Sequence, residues 1–156
     1  ERIGDHIDQL CDLSVNRPKD VLDKESFDDL FTLYEKTQQL LGMLVESMNP
    51  EQEDFQAAAD SILKTREEYL KFSTNANENF THKVVNHDVS PIGALYYKEY
   101  LSILYRLIGH IDSIAKIQKD EDFWIKRTKL DKKTRELNKI TVNSVNPEEY
   151  LNKLKL

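Results

Sequence analysis

Cysteine occurs once in the 156 residues, at Cys11, so no disulfide can close within the chain. That usage suits a reducing compartment. Glycine and proline occur only four times each, too rarely for a fold built on many tight turns, and abundant Leu, Lys, Glu and Asp make all-α the expected class. Long apolar runs are missing as well. The longest, Leu40–Val45, is interrupted by Gly42 and falls far short of the ~20 residues of a membrane span. No secretory leader is expected at the start, because residues 1–16 carry five charges in an alternating polar pattern. What remains is 39% hydrophobic and 32% charged, polar for a globular protein yet too rich in Leu, Ile, Phe and Tyr for disorder. A chain of this length buries roughly two-thirds of its unfolded surface, as one domain or one domain with a tail.

Charge divides the chain in two. Residues 1–115 carry a net charge of −10 and residues 116–156 a net of +4. The body is thus a poor binder of nucleic acid on electrostatic grounds. The tail mixes both signs and reads as a solvated helix rather than a phosphate-binding patch.

Helix starts are marked by capping chemistry. Ser26-Phe27-Asp28-Asp29 reads as an N-cap with an acidic third position. Asn49-Pro50, Ser90-Pro91 and Asn146-Pro147 each place a cap before a proline at the first helical position. Between them apolar residues recur at helical spacing. Phe27, Leu30, Phe31, Tyr34, Leu41, Val45 and Met48 line the first face, and Phe55, Ala59, Ile62, Tyr69, Ala76 and Phe80 line the next, to about Val84. Val84–Ser90 reads as a loop. From Ile92 to Ile117 the apolar surface broadens, with Leu95, Tyr96, Tyr100, Ile103, Leu104, Leu107, Ile108, Ile111 and Ile114, as suits a central helix held on two sides. Residues 25–118 are expected to form an antiparallel three-helix bundle. The tail, 119–156, is expected to be helical, with Phe123, Trp124, Leu130 and Leu137 as a thin seam that docks Trp124 on the bundle.

The opening helix begins without a cap. Ile3, Ile7, Leu10 and Ser14, with Cys11, form one stripe, which is expected to pack on the bundle or on a second copy of the chain. Glu1, Asp5, Asp8 and Asp12 form another, spaced i, i+4, i+7 and i+11. Like charges at that spacing cost roughly 0.2–0.5 kcal/mol per pair, so a basic neighbour or a cation is invited. Carboxylate oxygens select a hard ion, such as magnesium, calcium, manganese or iron. An acidic face that is simply solvated is the plainer reading. Arg2-Ile3-Gly4-Asp5-His6-Ile7-Asp8 also lies on Arg106-Leu107-Ile108-Gly109-His110-Ile111-Asp112 at an offset of 104, with Arg, His, Ile and Asp identical. Two helices sharing that string point to a duplicated unit whose first copy lies mostly upstream.

Glu1–His6, the string Glu-Arg-Ile-Gly-Asp-His, resembles the signature on the third helix of each three-helix repeat in PhoU-family proteins. The resemblance implies that residues 1–118 are a PhoU-like helical domain. Residues 1–16 would be the third helix of a first repeat and 25–118 the second repeat, with 119–156 left over. It implies a regulator of phosphate uptake on the cytoplasmic side, most similar to the tail of a sodium/phosphate cotransporter tethered to the membrane through an upstream transporter domain. The family's metal motif, Glu or Asp, three residues, then Asp, is met by Glu1/Asp5. The second repeat departs from it, with Tyr105 and Gly109 at the matching places. Asp8/Asp12 shares the spacing, and Glu25/Asp29 does so as a helix start.

Other constellations are weaker. His82, His87, Asp88 and Asp112 would mark a metal phosphohydrolase only if they converged. His6 and His110 read as packed imidazoles, and Tyr96, Tyr97, Tyr100 and Tyr105 as packing aromatics. No Glu-x-x-His, no Gly-rich phosphate loop and no nucleophile–base pair is present. The expectation is a regulatory domain and not an enzyme, its rival a metal-free helical scaffold or interaction module.

Overall fold

The computed structural model describes residues 2–16, 21–49 and 54–120. Among them there are four helices and no strand: α1 (Arg2–Val15), α2 (Lys24–Ser47), α3 (Phe55–Val85) and α4 (Pro91–Lys119). The all-α expectation therefore holds. Helices α2, α3 and α4 pack pairwise against one another, and α1 packs on α4 alone. A further segment, 121–156, follows α4 in the sequence. The helical tail, the Trp124 docking and the Asn146 cap expected there lie outside the described residues.

Of the capping signals, Ser90 stands as read: its Oγ accepts from the Gly93 N–H at 3.0 Å, with Pro91 opening α4. Two others shift. Asp23, not Ser26, caps α2; its Oδ1 accepts from the Ser26 N–H at 3.0 Å, and the Ser26 hydroxyl donates back to Oδ2 at 2.6 Å. Asp54, not Asn49, caps α3, accepting from the Ala57 N–H at 2.8 Å. In both cases the cap is a carboxylate three residues before the helical N–H from which it accepts.

The face that α2 buries is also a correction. Its core residues are Ser26, Leu30, Leu33, Thr37, Leu40, Leu44 and Ser47, a strict alternation of four and three. Phe27, Phe31, Tyr34, Val45 and Met48 stay exposed. The reason is that three polar residues serve in the core. Thr37 and Ser47 turn their hydroxyls onto the carbonyls of Leu33 and Leu44, at 2.8 and 2.7 Å, so burial leaves no unsatisfied donor. The Ser47 hydroxyl also lies 3.0 Å from Oε1 of Gln118 across the bundle, so its one hydrogen is shared between that acceptor and the Leu44 carbonyl. On α3 the expected face is the buried one, with Ser73 added and Phe55 half-buried.

Helix α4 is the axle. Tyr97, Leu101, Leu104, Leu107, Ile108, Ile111 and Ala115 are all buried, and Tyr97 stacks on Phe80 with ring centroids 3.7 Å apart. Leu95, expected inside, is exposed. Gly93 is where the chain needs no side chain: a Cβ there would run into the Val21 carbonyl oxygen. The stripe of α1 is corrected too. Leu10 is buried, with Ile3 and Leu13 packed beside the core, while Ile7, Cys11 and Ser14 are exposed, Ser14 beside Tyr100 of α4. The seam against α4 thus follows Ile3, His6, Leu10 and Leu13, which keeps Ile3 and Leu10 of the stripe read in the sequence and replaces Ile7 and Ser14 by the residues just before them.

Candidate functional site

Asp5, Asp8 and Asp12 are all exposed along α1, as a helical repeat of three and four requires. Glu1 lies outside the described residues. Among the described residues no three His, Cys, Asp or Glu side chains converge as a metal cage, and α4, the helix that α1 touches, offers Tyr105 and Gly109 at the matching positions. The stripe alone does not enclose a hard cation; waters or another chain would have to supply most of the ligands. Tyr105 has taken another task, exchanging a hydrogen bond with the Ser73 hydroxyl at 2.9 Å.

The two helices that share the repeated string meet each other. His6 lies against His110, with ring centroids 5.3 Å apart and planes 16° from parallel. Further along, Gln9 and Asp12 of α1, Asn16 just beyond its end, and Glu99, Ser102 and Arg106 of α4 line one groove of about 580 Å³. Numbers rise on α1 as they fall on α4, so the helices run antiparallel. A second groove of about 440 Å³ shares Arg106 and Ser102 and adds Lys98, Tyr105 and Asn77 of α3. Lys98 donates to the Asn77 side-chain oxygen at 2.5 Å. Arg106 therefore borders both grooves.

Two ionic clusters were not foreseen from sequence. At the start of α2, Lys83 of α3 reaches both Asp23 and Glu25 at 2.8 Å. Burial works to raise the Asp23 carboxyl, but hydrogen bonds from Lys83 and Ser26 outweigh it and hold it at about 2. Burial likewise works against the Lys83 charge, yet its bonds to Asp23 and Glu25 prevail and keep the ammonium above the usual lysine range. Burial, then the neighbouring Glu25, push Asp29 upward. Glu25 and Asp29 thus belong to a helix start, as their spacing allowed. In the other cluster, buried Asp112 lies 3.2 Å from Nε of Arg66 and 2.8 Å from Nζ of Lys116. The Arg66 contact is an ion pair without hydrogen-bond alignment.

Asp112 also belongs to the four-residue constellation with His82, His87 and Asp88. His82, His87 and Asp88 sit at the α3–α4 connection, where His87 has a left-handed φ of 63°. Asp112 is twenty-one residues into α4, about 30 Å away at 1.5 Å per residue. The four do not come together. Cys11 is exposed, in keeping with a helix flank. No helix among the described residues is long and apolar enough to cross a membrane. No family model, curated protein or solved structure matches the chain.

Proposed function

We propose that this chain is a regulatory helical domain of a phosphate-transport system, similar to PhoU proteins, that acts by docking on a membrane transporter domain rather than by catalysing a reaction. One observation carries the reading. Helix α1 bears the string found on α4 and packs antiparallel to it, yet its outer residues Gly4, Ile7 and Cys11, which match Ile108, Ile111 and Ala115, stay exposed where their counterparts are buried. A helix patterned like the axle of a bundle, but covered on one side, is suited to receive further helices.

The test is phosphate uptake by cells carrying the wild-type protein, the Ile7→Asp variant, or neither. Loss of the phosphate-dependent control of uptake without the protein, reproduced by Ile7→Asp in a chain that still folds, supports the reading. Identical uptake in all three ends it. Cys11, the single cysteine and exposed, offers a cross-linking site on the same face, and the expected adduct is with the transporter domain. The second reading is a metal-free helical scaffold, favoured by the failure of Asp5, Asp8 and Asp12 to converge with any third helix. Manganese or magnesium that raises the melting temperature of wild type, but not of Asp5→Ala, would set it aside in favour of a carboxylate-held ion.

A further inference from the structure

The aromatic side of α2 that the core leaves out is one wall of a groove. Phe27, Phe31 and Tyr34 form a continuous ribbon, with successive ring centroids 6.5 and 6.4 Å apart, yet they are 40, 51 and 37% exposed. Helices α1 and α2 both pack on α4 and not on each other. Between them lies a groove of about 340 Å³, lined by Ser14 from α1, Phe27, Leu30 and Phe31 from α2, and Tyr96 and Tyr100 from α4. Cys11 and Ile7, one and two turns before Ser14, continue the α1 wall and are exposed as well. Contiguous exposed aromatics of this kind mark an interaction surface.

The rims of the groove are acidic. On α2, Asp28 and Glu35 flank Phe31 at i−3 and i+4, on the side away from the core. On α1, Asp8 stands one turn from both Gly4 and Cys11, on the side away from the α4 seam. All three carboxylates are exposed, and none is in an ion pair among the described residues. An apolar floor between acidic rims fits an amphipathic helix that lays its apolar stripe inward and holds Lys or Arg over each rim. Phe27 to Tyr34 spans about 10 Å, two helical turns, so the anchors of such a helix would fall at i, i+3 or i+4, and i+7.

We propose that the groove between α1 and α2 receives a basic amphipathic helix from a cytoplasmic juxtamembrane segment of the transporter domain; the source of the helix rests on the transport reading above. Such segments carry an excess of Lys and Arg, the charge that these rims lack. Two other occupants are disfavoured by the same electrostatics. Residues 1–115 carry a net charge of −10, so an anionic lipid surface repels them. A second copy of this face would bring acidic rims against acidic rims.

The probe is a synthetic helical peptide with leucine at i, i+4 and i+7 and lysine elsewhere, titrated into the full chain by fluorescence anisotropy at low and at physiological salt. The same peptide with glutamate in place of lysine is the control. The lysine peptide is expected to bind one per chain and the glutamate peptide not at all. Phe31→Ser, and separately Asp28→Lys with Glu35→Lys, should each weaken binding roughly tenfold or more, and the charge reversal should also flatten the salt dependence. Glu67→Lys with Glu68→Lys, on the exposed face of α3, should bind as wild type does. Equal binding by wild type and Phe31→Ser overturns the proposal, and so does an α3 variant that loses as much as the rim variant, which would make the attraction one of bulk charge. Light scattering that shows a dimer, made monomeric by Phe31→Ser, would give the groove to a second copy instead. Phosphate uptake separates this inference from the reading beneath it. Control of uptake that requires the chain but survives both groove variants removes the groove alone, whereas uptake indifferent to the whole chain removes the transporter and with it this source of the helix.

Discussion

Helices α1 and α4 carry one string of residues in two surroundings. Ile111 is fully buried and its counterpart Ile7 is 39% exposed. Asp112 is buried between Arg66 and Lys116, while Asp8 stands in solvent. His6 and His110 share an environment because they touch each other. The lesson is that the string encodes a helix able to be enclosed on two sides, and that the rest of the chain decides how much of it is enclosed. α4 meets α1, α2 and α3, and α1 meets α4 only.

Matched substitutions break the comparison most sharply in the core. Ile111→Ala should cost about 2–5 kcal/mol of global stability, since the side chain it truncates is fully buried. Ile7→Ala should change it by under about 0.5 kcal/mol, as for a surface position. Denaturant midpoints at equal slope test both, and equal losses would mean that α1 is as enclosed as α4.

Glycine offers the next contrast. Gly93→Ala forces a Cβ against the Val21 carbonyl and should destabilise by about 1–3 kcal/mol. Gly4 has open space around a Cβ, and Gly4→Ala should strengthen α1 by up to ~1 kcal/mol through helix propensity. Thermal melts followed by circular dichroism check the opposite signs. Asp112→Asn should then cost about 1–2 kcal/mol, less than for a fully buried pair because Lys116 is largely exposed, and Asp8→Asn close to nothing. Chemical denaturation of the two variants side by side measures that difference.

The smallest effect belongs to acid, and it concerns the start of α2. Asp23 is held at about 2, against 3.8 ordinarily. Its folded value is the lower one, so its contribution is complete above about pH 4 and fades as the pH falls toward 2. Asp23→Ala should lose stability at pH 7, by about 1 kcal/mol as N-cap removals do, and the gap to wild type should close below pH 3. A gap that persists at pH 2 would assign the loss to packing instead of charge.

Much of this architecture could be read from the chain. Helical spacing located α3 and α4 closely, and the i, i+104 match singled out the two helices that pack together. What misled was polarity in the core. Ser26, Thr37 and Ser47 looked like surface residues because their spacing carries no apolar signal, and only their hydrogen bonds to nearby carbonyls and to Asp23 make burial tolerable. The aromatic run Phe27, Phe31 and Tyr34 then drew the face to one side by a single residue, a rotation of about 100°. The acidic stripe was legible as a stripe, but convergence is a tertiary property. Lys83 on Asp23, sixty residues apart, and Arg66 on Asp112 left no sequence signal that spacing could detect. His6 against His110 did leave one: the repeat match, had an antiparallel pairing been assumed.

Native-state hydrogen exchange, read amide by amide at pH 7, tests the central claim that α1 is a patterned axle attached by a single seam. The core amides of α4, Leu101–Ile111, should exchange only through global unfolding, and those of Ile3–Leu13 at least a hundredfold faster, yet slower than in an unfolded chain, by local release from α4. Protection of α1 equal to that of α4, or none at all, would contradict the account.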